Sequence, residues 1–217
     1  MCFSAGASFG ASAIIGTIGI ITLKKTKTTN EIPFASIPLL FAVQQAAEGM
    51  VWIGLSSGNS ESWKHFPVYI FLIFAQVVWP VWIPFSVSRL ENDRTRGTTI
   101  KAILGMGGCT SLYLLYCMIV YNVKAEIHSE HILYTLSFPA AYTWMTSVFY
   151  FVPTVVTLFI SSVKRVRLLG LAVLISFVFS KIYFTEHLIS VWCFFAGILS
   201  IIVFWIILTL KKVVPQL

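Results

Sequence analysis

Long apolar stretches alternate with short polar segments along the whole chain, and this pattern predicts a series of membrane-crossing helices. Each stretch approaches the roughly 20 residues that an α-helix needs to cross the hydrocarbon core of a bilayer. The predicted helices run over Ser4–Leu23, Ile32–Leu55, Pro67–Ser88, Ile100–Tyr121, Phe138–Ser161, Leu168–Phe184 and His187–Leu210. We therefore predict an all-α fold, a seven-helix transmembrane bundle that forms one domain over residues 1–217.

The composition agrees with a membrane environment and argues against a soluble protein. Of the 217 residues, 58% are hydrophobic and only 11% are charged, whereas roughly a quarter of the residues in a soluble domain are charged. A net charge of +7 would suit a nucleic-acid partner, but basic residues in membrane proteins collect in cytoplasmic loops. The predicted partner is therefore the lipid bilayer, and no nucleic acid is expected.

The distribution of basic residues predicts the orientation of the bundle. Twelve of the 15 lysines and arginines follow predicted helices 1, 3, 5 and 7, and only Lys64, Lys124 and Lys181 lie on the opposite side. The side with twelve is cytoplasmic by the positive-inside rule. This places the N-terminus outside and the C-terminus in the cytoplasm, and it makes Asn122–Ser137 the longest external loop.

Glu48 is the clearest chemical anomaly because it lies about 10 Å inside the second predicted helix. A carboxylate at that depth is costly, so an intramembrane acid indicates a functional site by default. Gln44, Gln45 and Trp52 share its helical face at spacings of three and four residues. The alternative is that Glu48 only joins helices through hydrogen bonds.

Other side chains with metal-binding chemistry fall in the same outer half of the predicted bundle. Cys193 in helix 7 lies at a depth close to that of Glu48, and His131 stands at or just before helix 5. Cys2 would carry a free thiol beside an α-amino group after removal of the initiator methionine. No spacing motif joins these residues, and each has an ordinary structural alternative as a buried or solvated side chain.

The third predicted helix contains the segment Trp79-Pro80-Val81-Trp82-Ile83-Pro84, in which two prolines remove backbone hydrogen bonds. Broken helices in membranes commonly line cavities, because the freed carbonyl groups need partners. We therefore expect Trp79, together with Trp52 and Trp144, in the wall of a pocket. Glycines at 6, 10, 105, 107 and 108 predict close helix packing within the bundle, with a homodimer as the alternative use.

The sequence also resembles an uncharacterised family of small bacterial multi-pass membrane proteins. The resemblance rests on five blocks: MCFSA-x-ASF from Met1, QQxxEGxVW from Gln44, WPxWxP from Trp79, HIxY from His131 and SVWCFFA from Ser190. It covers nearly the whole chain and implies a bacterial inner-membrane location, with no established activity. His187 lies outside these blocks, so the resemblance favours His131 as the functional histidine.

The leading hypothesis is a small-molecule or metal site in the outer half of the bundle, centred on Glu48. Glu48 and His131 would be catalytic, and the metal ligands would be Cys2, Glu48, His131 and Cys193. Gln45, Trp52, Trp79 and Tyr134 would bind the cofactor or ligand. The metal would be a transition metal ion such as zinc, iron or copper, used by a membrane-embedded enzyme. The alternatives are a small-molecule or proton-coupled transporter or ligand sensor, and a structural or assembly factor.

Overall fold

The computed structural model describes residues 4–56, 61–128, 131–139, 143–184 and 188–210, without the side chains of 61–65, 143, 188, 193 and 194. The helices in chain order are α1 (Ala5–Lys24), α2 (Ile32–Ala35), α3 (Ile37–Ser56), α4 (Glu61–Leu72), α5 (Trp79–Leu90), α6 (Arg94–Val120), α7 (Thr143–Phe151), α8 (Thr157–Ile160), α9 (Lys164–Tyr183), α10 (Leu188–Phe194) and α11 (Ala196–Thr209). A 3₁₀ turn, Thr29–Glu31, precedes α2. The π-helical segment Ile73–Val78 joins α4 to α5, and a second one, Val152–Val156, joins α7 to α8.

Within the described residues, six helical segments are long and apolar enough to cross a membrane: Ala5–Lys24, Thr29–Ser56, Phe66–Leu90, Arg94–Val120, Lys164–Tyr183 and Ile189–Thr209. They correspond to predicted helices 1–4, 6 and 7. The fifth predicted helix corresponds to a shorter apolar helix, Trp144–Ile160. The chain is therefore a mostly helical, multi-pass membrane protein. The count of seven crossings and the orientation stay predictions.

The prediction of an all-α fold needs one correction, because the loop predicted at Asn122–Ser137 contains a β-hairpin. Strand β1 (Val123–His128) pairs antiparallel with β2 (His131–Leu136), from Val123 opposite Leu136 to His128 opposite His131. Apolar and polar residues alternate along β1, which is the period of a strand with one covered face. The average hydropathy of the loop did not reveal this alternation. His131 and Tyr134 consequently lie on β2 and not at the start of a helix.

Helix α1 packs along α3 through a stripe of small and apolar side chains at intervals of three or four residues: Ser8, Ala11, Ile15, Gly19 and Thr22. The Ser12 hydroxyl donates a hydrogen bond to the Ala42 carbonyl (2.8 Å). A Cβ atom at residue 19 would come within 2.7 Å of Leu39. The expected internal packing of Gly6 and Gly10 is wrong, since a Cβ atom at either position would have no described neighbour within 4 Å.

The prolines of the third crossing produce a π-helical turn and a very close helix contact. Pro80 has no N–H to donate to the carbonyls four and five residues before it, and Pro84 leaves the Pro80 carbonyl without its helical donor. That carbonyl faces Gly107 of α6, where any Cβ atom would collide with it. Glycine is therefore required at residue 107, as predicted for tight packing, whereas Gly105 and Gly108 have no described neighbour at that range.

The fifth apolar helix is interrupted in the same way, and the facing helices satisfy the released carbonyls. Pro153 lies in the π-helical segment Val152–Val156 and cannot donate to the Phe149 carbonyl four residues earlier. Thr110 of α6 donates to this carbonyl (3.2 Å). At the first break, the Tyr150 hydroxyl donates to the Ala75 carbonyl (2.5 Å) and Ser111 donates to Val77 (2.7 Å). Both breaks thus pack against α6.

Basic side chains at the end of the bundle opposite the hairpin bond to the last carbonyls of the helices. Arg96 donates to the carbonyls of Ile160 and Ser161 (3.2 and 3.3 Å), and Arg165 donates to that of Thr209 (2.9 Å). Cations at helix C-termini also interact favourably with the helix dipole. The residues that predict topology therefore have a second, structural use.

Candidate functional site

Glu48 is fully buried in α3 and receives hydrogen bonds from two neutral groups. The Ser190 hydroxyl of α10 donates to Oε1 of Glu48 (2.6 Å), and the Gln45 amide donates to Oε2 (3.3 Å). All three side chains are at most 1% exposed. The prediction that Glu48 is buried and partnered by another helix is confirmed.

Two atoms of the same face of α3 have no hydrogen-bond partner among the described residues. They are Oε1 of Gln45 and Nε1 of Trp52, which are 1% and 7% exposed as whole side chains. Buried polar atoms in native proteins nearly always bind protein, ordered water or ligand. These atoms therefore offer an acceptor and a donor on the same helix as Glu48.

Gln44 connects this polar cluster to a cavity inside the bundle. It lies one helical turn before Glu48, and its side-chain oxygen accepts a hydrogen bond from the Trp79 indole (2.8 Å). Both Gln44 and Trp79 line a cavity of about 460 Å³, a size typical of small-molecule sites. Glu48 therefore lies one helical turn from a residue of the cavity wall.

The cavity lies where both broken helices meet α6, α9 and the two helices of the last crossing. Its lining is mainly apolar and aromatic, with polar groups from several of the surrounding elements. Residues of both π-helical segments, including Gln76 and Thr154, contribute to the wall. Such walls, apolar with a few convergent polar groups, are the usual form of sites for small organic molecules.

Trp192 forms a rigid part of this wall because polar and aromatic contacts hold its ring from several sides. Its indole donates to the Ser176 hydroxyl (3.0 Å). Its ring meets the rings of Phe177 and Tyr150 edge-on, with centroid distances of 5.4 and 6.4 Å. An aromatic side chain fixed in this way presents a flat surface of defined orientation to a ligand.

The remaining predicted site residues lie outside the described cavity wall. Trp52 and Tyr134 belong to one buried apolar cluster with Phe71, and the Tyr134 and Phe71 rings are stacked 4.9 Å apart. His131 contacts the ring of Phe184 edge-on at 5.2 Å. The described lining of the cavity includes Trp79, and it does not include Gln45, Glu48, Trp52, His131 or Tyr134. Trp144, expected in a pocket wall, is 69% exposed.

The predicted convergence of metal ligands stays a prediction. Cys2 and the side chain of Cys193 lie outside the described part of the chain. Across the described residues, no group of three or more histidine, cysteine, aspartate and glutamate side chains could hold a metal ion. Glu48 and His131 are therefore the only predicted ligands whose side chains are described.

Several residues of the cavity wall were not predicted from the sequence. Gln76, Tyr113 and Tyr150 are polar groups inside apolar stretches, and this signal could have indicated them. Ser190 was predicted only as the first residue of the SVWCFFA block, yet it donates a hydrogen bond directly to Glu48. Its role depends on a contact between residues 142 positions apart, which no local pattern reveals.

Comparison with known proteins adds a family but no activity. The chain belongs to the DUF6629 family. The model of this family, a family of unknown function, matches residues 1–215. No curated protein and no solved structure matches the chain. The DUF6629 match confirms the predicted membership of an uncharacterised family, and any function must be argued from the site itself.

Proposed function

We propose that this DUF6629 protein binds a small, mostly apolar molecule in the bundle cavity, as a transporter or a ligand sensor. The observation that carries the proposal is the hydrogen bond between Gln44 and Trp79 in the cavity wall, one turn from Glu48. This contact couples the shape of the wall to the polar cluster. Glu48 acts as a switch because protonation converts a carboxylate that only accepts hydrogen bonds into a group that also donates one.

The two broken helices support a role that involves motion. Both π-helical segments line the cavity, and such segments occur frequently at functional sites. In membrane transporters, interrupted helices surround the substrate and change conformation around it. Hydroxyl groups that bond to the carbonyls at the breaks, such as Tyr150 to Ala75, can exchange one carbonyl acceptor for another when the breaks change shape.

The proposal includes an orientation in the bacterial inner membrane, with the hairpin outside and the basic loops in the cytoplasm. The 12-to-3 division of basic residues supports this arrangement. A reporter fused after Leu217 is expected to be active only in the cytoplasm, and a reporter inserted near Ser60 only outside. The reverse pattern would invert the predicted topology and place the hairpin on the cytoplasmic side.

Ligand binding is tested with 1-aminoanthracene, a neutral fluorophore that brightens in apolar protein cavities. The protein in nanodiscs should show saturable binding that empty nanodiscs lack. Val173→Trp should weaken this binding, because residue 173 lines the cavity and the larger ring occupies part of it. Val178→Trp is the matched control, since Val178 is an exposed residue of the same helix. Equal binding by both variants would reject the cavity as the site and leave a structural or assembly role.

The role of Glu48 is tested by the pH dependence of the same binding reaction. We expect the affinity for 1-aminoanthracene to change with pH in the native protein and to stay constant in Glu48→Gln. Glu126→Gln, on the hairpin, serves as the control and should keep the native response. An unchanged pH response in Glu48→Gln would assign Glu48 to hydrogen bonding between helices. Uptake of a bound compound into liposomes then separates a transporter from a sensor.

A further inference from the structure

The cavity has a charged end and an apolar end. Lys181 is in the last turn of α9 and contributes to the wall. It is the only charged residue in the described lining. Lys181 is also exposed, as expected at the mouth of a cavity. Leu136 and Phe138, which lie at and just beyond the end of the hairpin, line the cavity as well.

The apolar end lies towards the middle of the bundle. Along α9, Val173, Phe177 and Lys181 all line the cavity at intervals of four residues, which places them on one helical face. The eight residue steps from Val173 to Lys181 correspond to about 12 Å of helix. Ile83 and Leu199, which belong to the buried apolar core, contribute to the same wall.

We infer that the ligand is an amphiphile with one negatively charged headgroup and a single apolar chain. The inference rests on the proposed function and names its ligand class. The headgroup contacts Lys181, because this lysine is the one cation of the described cavity wall and an ammonium group binds an anion through charge-assisted hydrogen bonds. The chain follows the stripe from Phe177 to Val173 into the middle of the bundle. A cationic amphiphile is repelled by the same lysine.

Competition binding with a series of matched probes tests this inference. Radiolabelled dodecanoate is bound to the protein in nanodiscs of zwitterionic lipid and displaced by unlabelled dodecanoate, dodecanol or dodecyltrimethylammonium. A charge-assisted hydrogen bond predicts that dodecanoate displaces the label at a concentration about tenfold or more below that of dodecanol. Dodecyltrimethylammonium should be the weakest competitor. Dodecyl phosphate, included as a second anion, separates recognition of negative charge in general from recognition of a carboxylate.

Two variants locate the charge that makes the difference. Lys181→Gln should bring dodecanoate and dodecanol to equal potency, whereas Lys124→Gln should keep the native ratio. Lys124 is the matched control, because it lies on β1 and is not part of the described cavity wall. Equal potency of dodecanoate and dodecanol in the native protein would overturn the inference, and so would a native ratio in Lys181→Gln.

The outcomes also separate this inference from the proposed function. Suppose that Val173→Trp weakens the binding of both dodecanoate and dodecanol, but the native protein does not prefer dodecanoate over dodecanol. The cavity then binds ligands, and only the inference of an anionic headgroup is rejected. If Val173→Trp leaves the binding unchanged, the proposed function and this inference both fail. Lys181→Gln is expected to fold, because Lys181 is exposed and glutamine has a similar reach.

Discussion

Glu48 and Glu91 are both carboxylates held by serine hydroxyl groups, but their surroundings differ. Glu91 follows the last residue of α5 and accepts three hydrogen bonds: the Ser162 amide (2.7 Å), the Ser162 hydroxyl (2.5 Å) and the Asp93 amide (2.9 Å). Two of these donors are backbone groups of loops. Glu48 lies in the middle of a helix, fully buried, and its described donors include the side chains of Ser190 and Gln45.

The difference supports a structural role for Glu91 and agrees with the functional role proposed for Glu48. Backbone donors cannot move without unfolding a loop, so Glu91 fixes the α5–α6 connection to the α8–α9 connection in one arrangement. Side-chain donors can rotate, so the hydrogen bonds of Glu48 can rearrange when a ligand enters the neighbouring cavity. The same contrast appears in position, since Glu91 is at the end of the bundle with the basic loops and Glu48 is next to the cavity wall.

The largest expected effect on stability comes from removing each carboxylate in turn. Glu48→Ala removes the carboxylate that accepts from the buried Ser190 hydroxyl and Gln45 amide and adds a void. We expect the free energy of unfolding to fall by about 3 kcal/mol. Glu91→Ala should cost only about 1 kcal/mol, because water can reach its donors. Unfolding by SDS in mixed micelles measures both values, and equal losses would contradict the distinction between them.

A smaller effect is expected from the contact that joins Glu48 to the cavity. Gln44→Leu keeps the size of the side chain but leaves the Trp79 indole N–H buried without its acceptor. The expected loss is about 2 kcal/mol of unfolding free energy. Trp79→Phe in the Gln44→Leu background should recover part of this loss, because the unsatisfied donor is then absent. No recovery in the double variant would indicate that Gln44 stabilises the fold through other contacts.

The smallest expected effect is a pH dependence at Glu91. Burial raises the pKa of Glu91, but the hydrogen bonds from Ser162 and the Asp93 amide together lower it by more. The pKa therefore lies below its ordinary value of 4.5. A carboxylate with a lowered pKa stabilises the folded state above the unfolded pKa, and this contribution is lost as the pH falls through the folded pKa. The stability difference between the native protein and Glu91→Gln should therefore be present at neutral pH, begin to decline as the pH falls below 4.5 and disappear below the folded pKa.

The sequence was sufficient to predict the helical segments and the buried acid, because both depend on local composition. A run of about 20 apolar residues has few alternatives to a membrane helix, and a glutamate within it requires partners. The Trp79–Pro84 break was also predictable, since proline removes a hydrogen bond wherever it stands. The π-helical form of this break was not predictable, because the π-helical turn begins at Ile73, six residues before the Trp79–Pro84 segment.

Features that depend on contacts between distant segments were not predictable. The cavity arises where the two broken helices, α6 and α9 meet, and no single segment carries a signal for it. The hairpin was not predicted, because alternation of apolar and polar residues over six positions changes the average hydropathy of a loop very little. Gly107 was predicted to allow close packing, but its contact with the Pro80 carbonyl required knowledge of which helix lies opposite.

Photolabelling tests the central claim, that the cavity beside Glu48 binds a small apolar molecule, most directly. A benzyl alcohol that carries a diazirine is activated in nanodiscs that contain the native protein, and labelled residues are identified by mass spectrometry. The account predicts labels on cavity-wall residues such as Tyr150 and Phe177. An excess of 1-aminoanthracene, present during activation, should prevent the labelling of these residues. Labels confined to lipid-facing residues such as Ile119, which is 75% exposed, would contradict it.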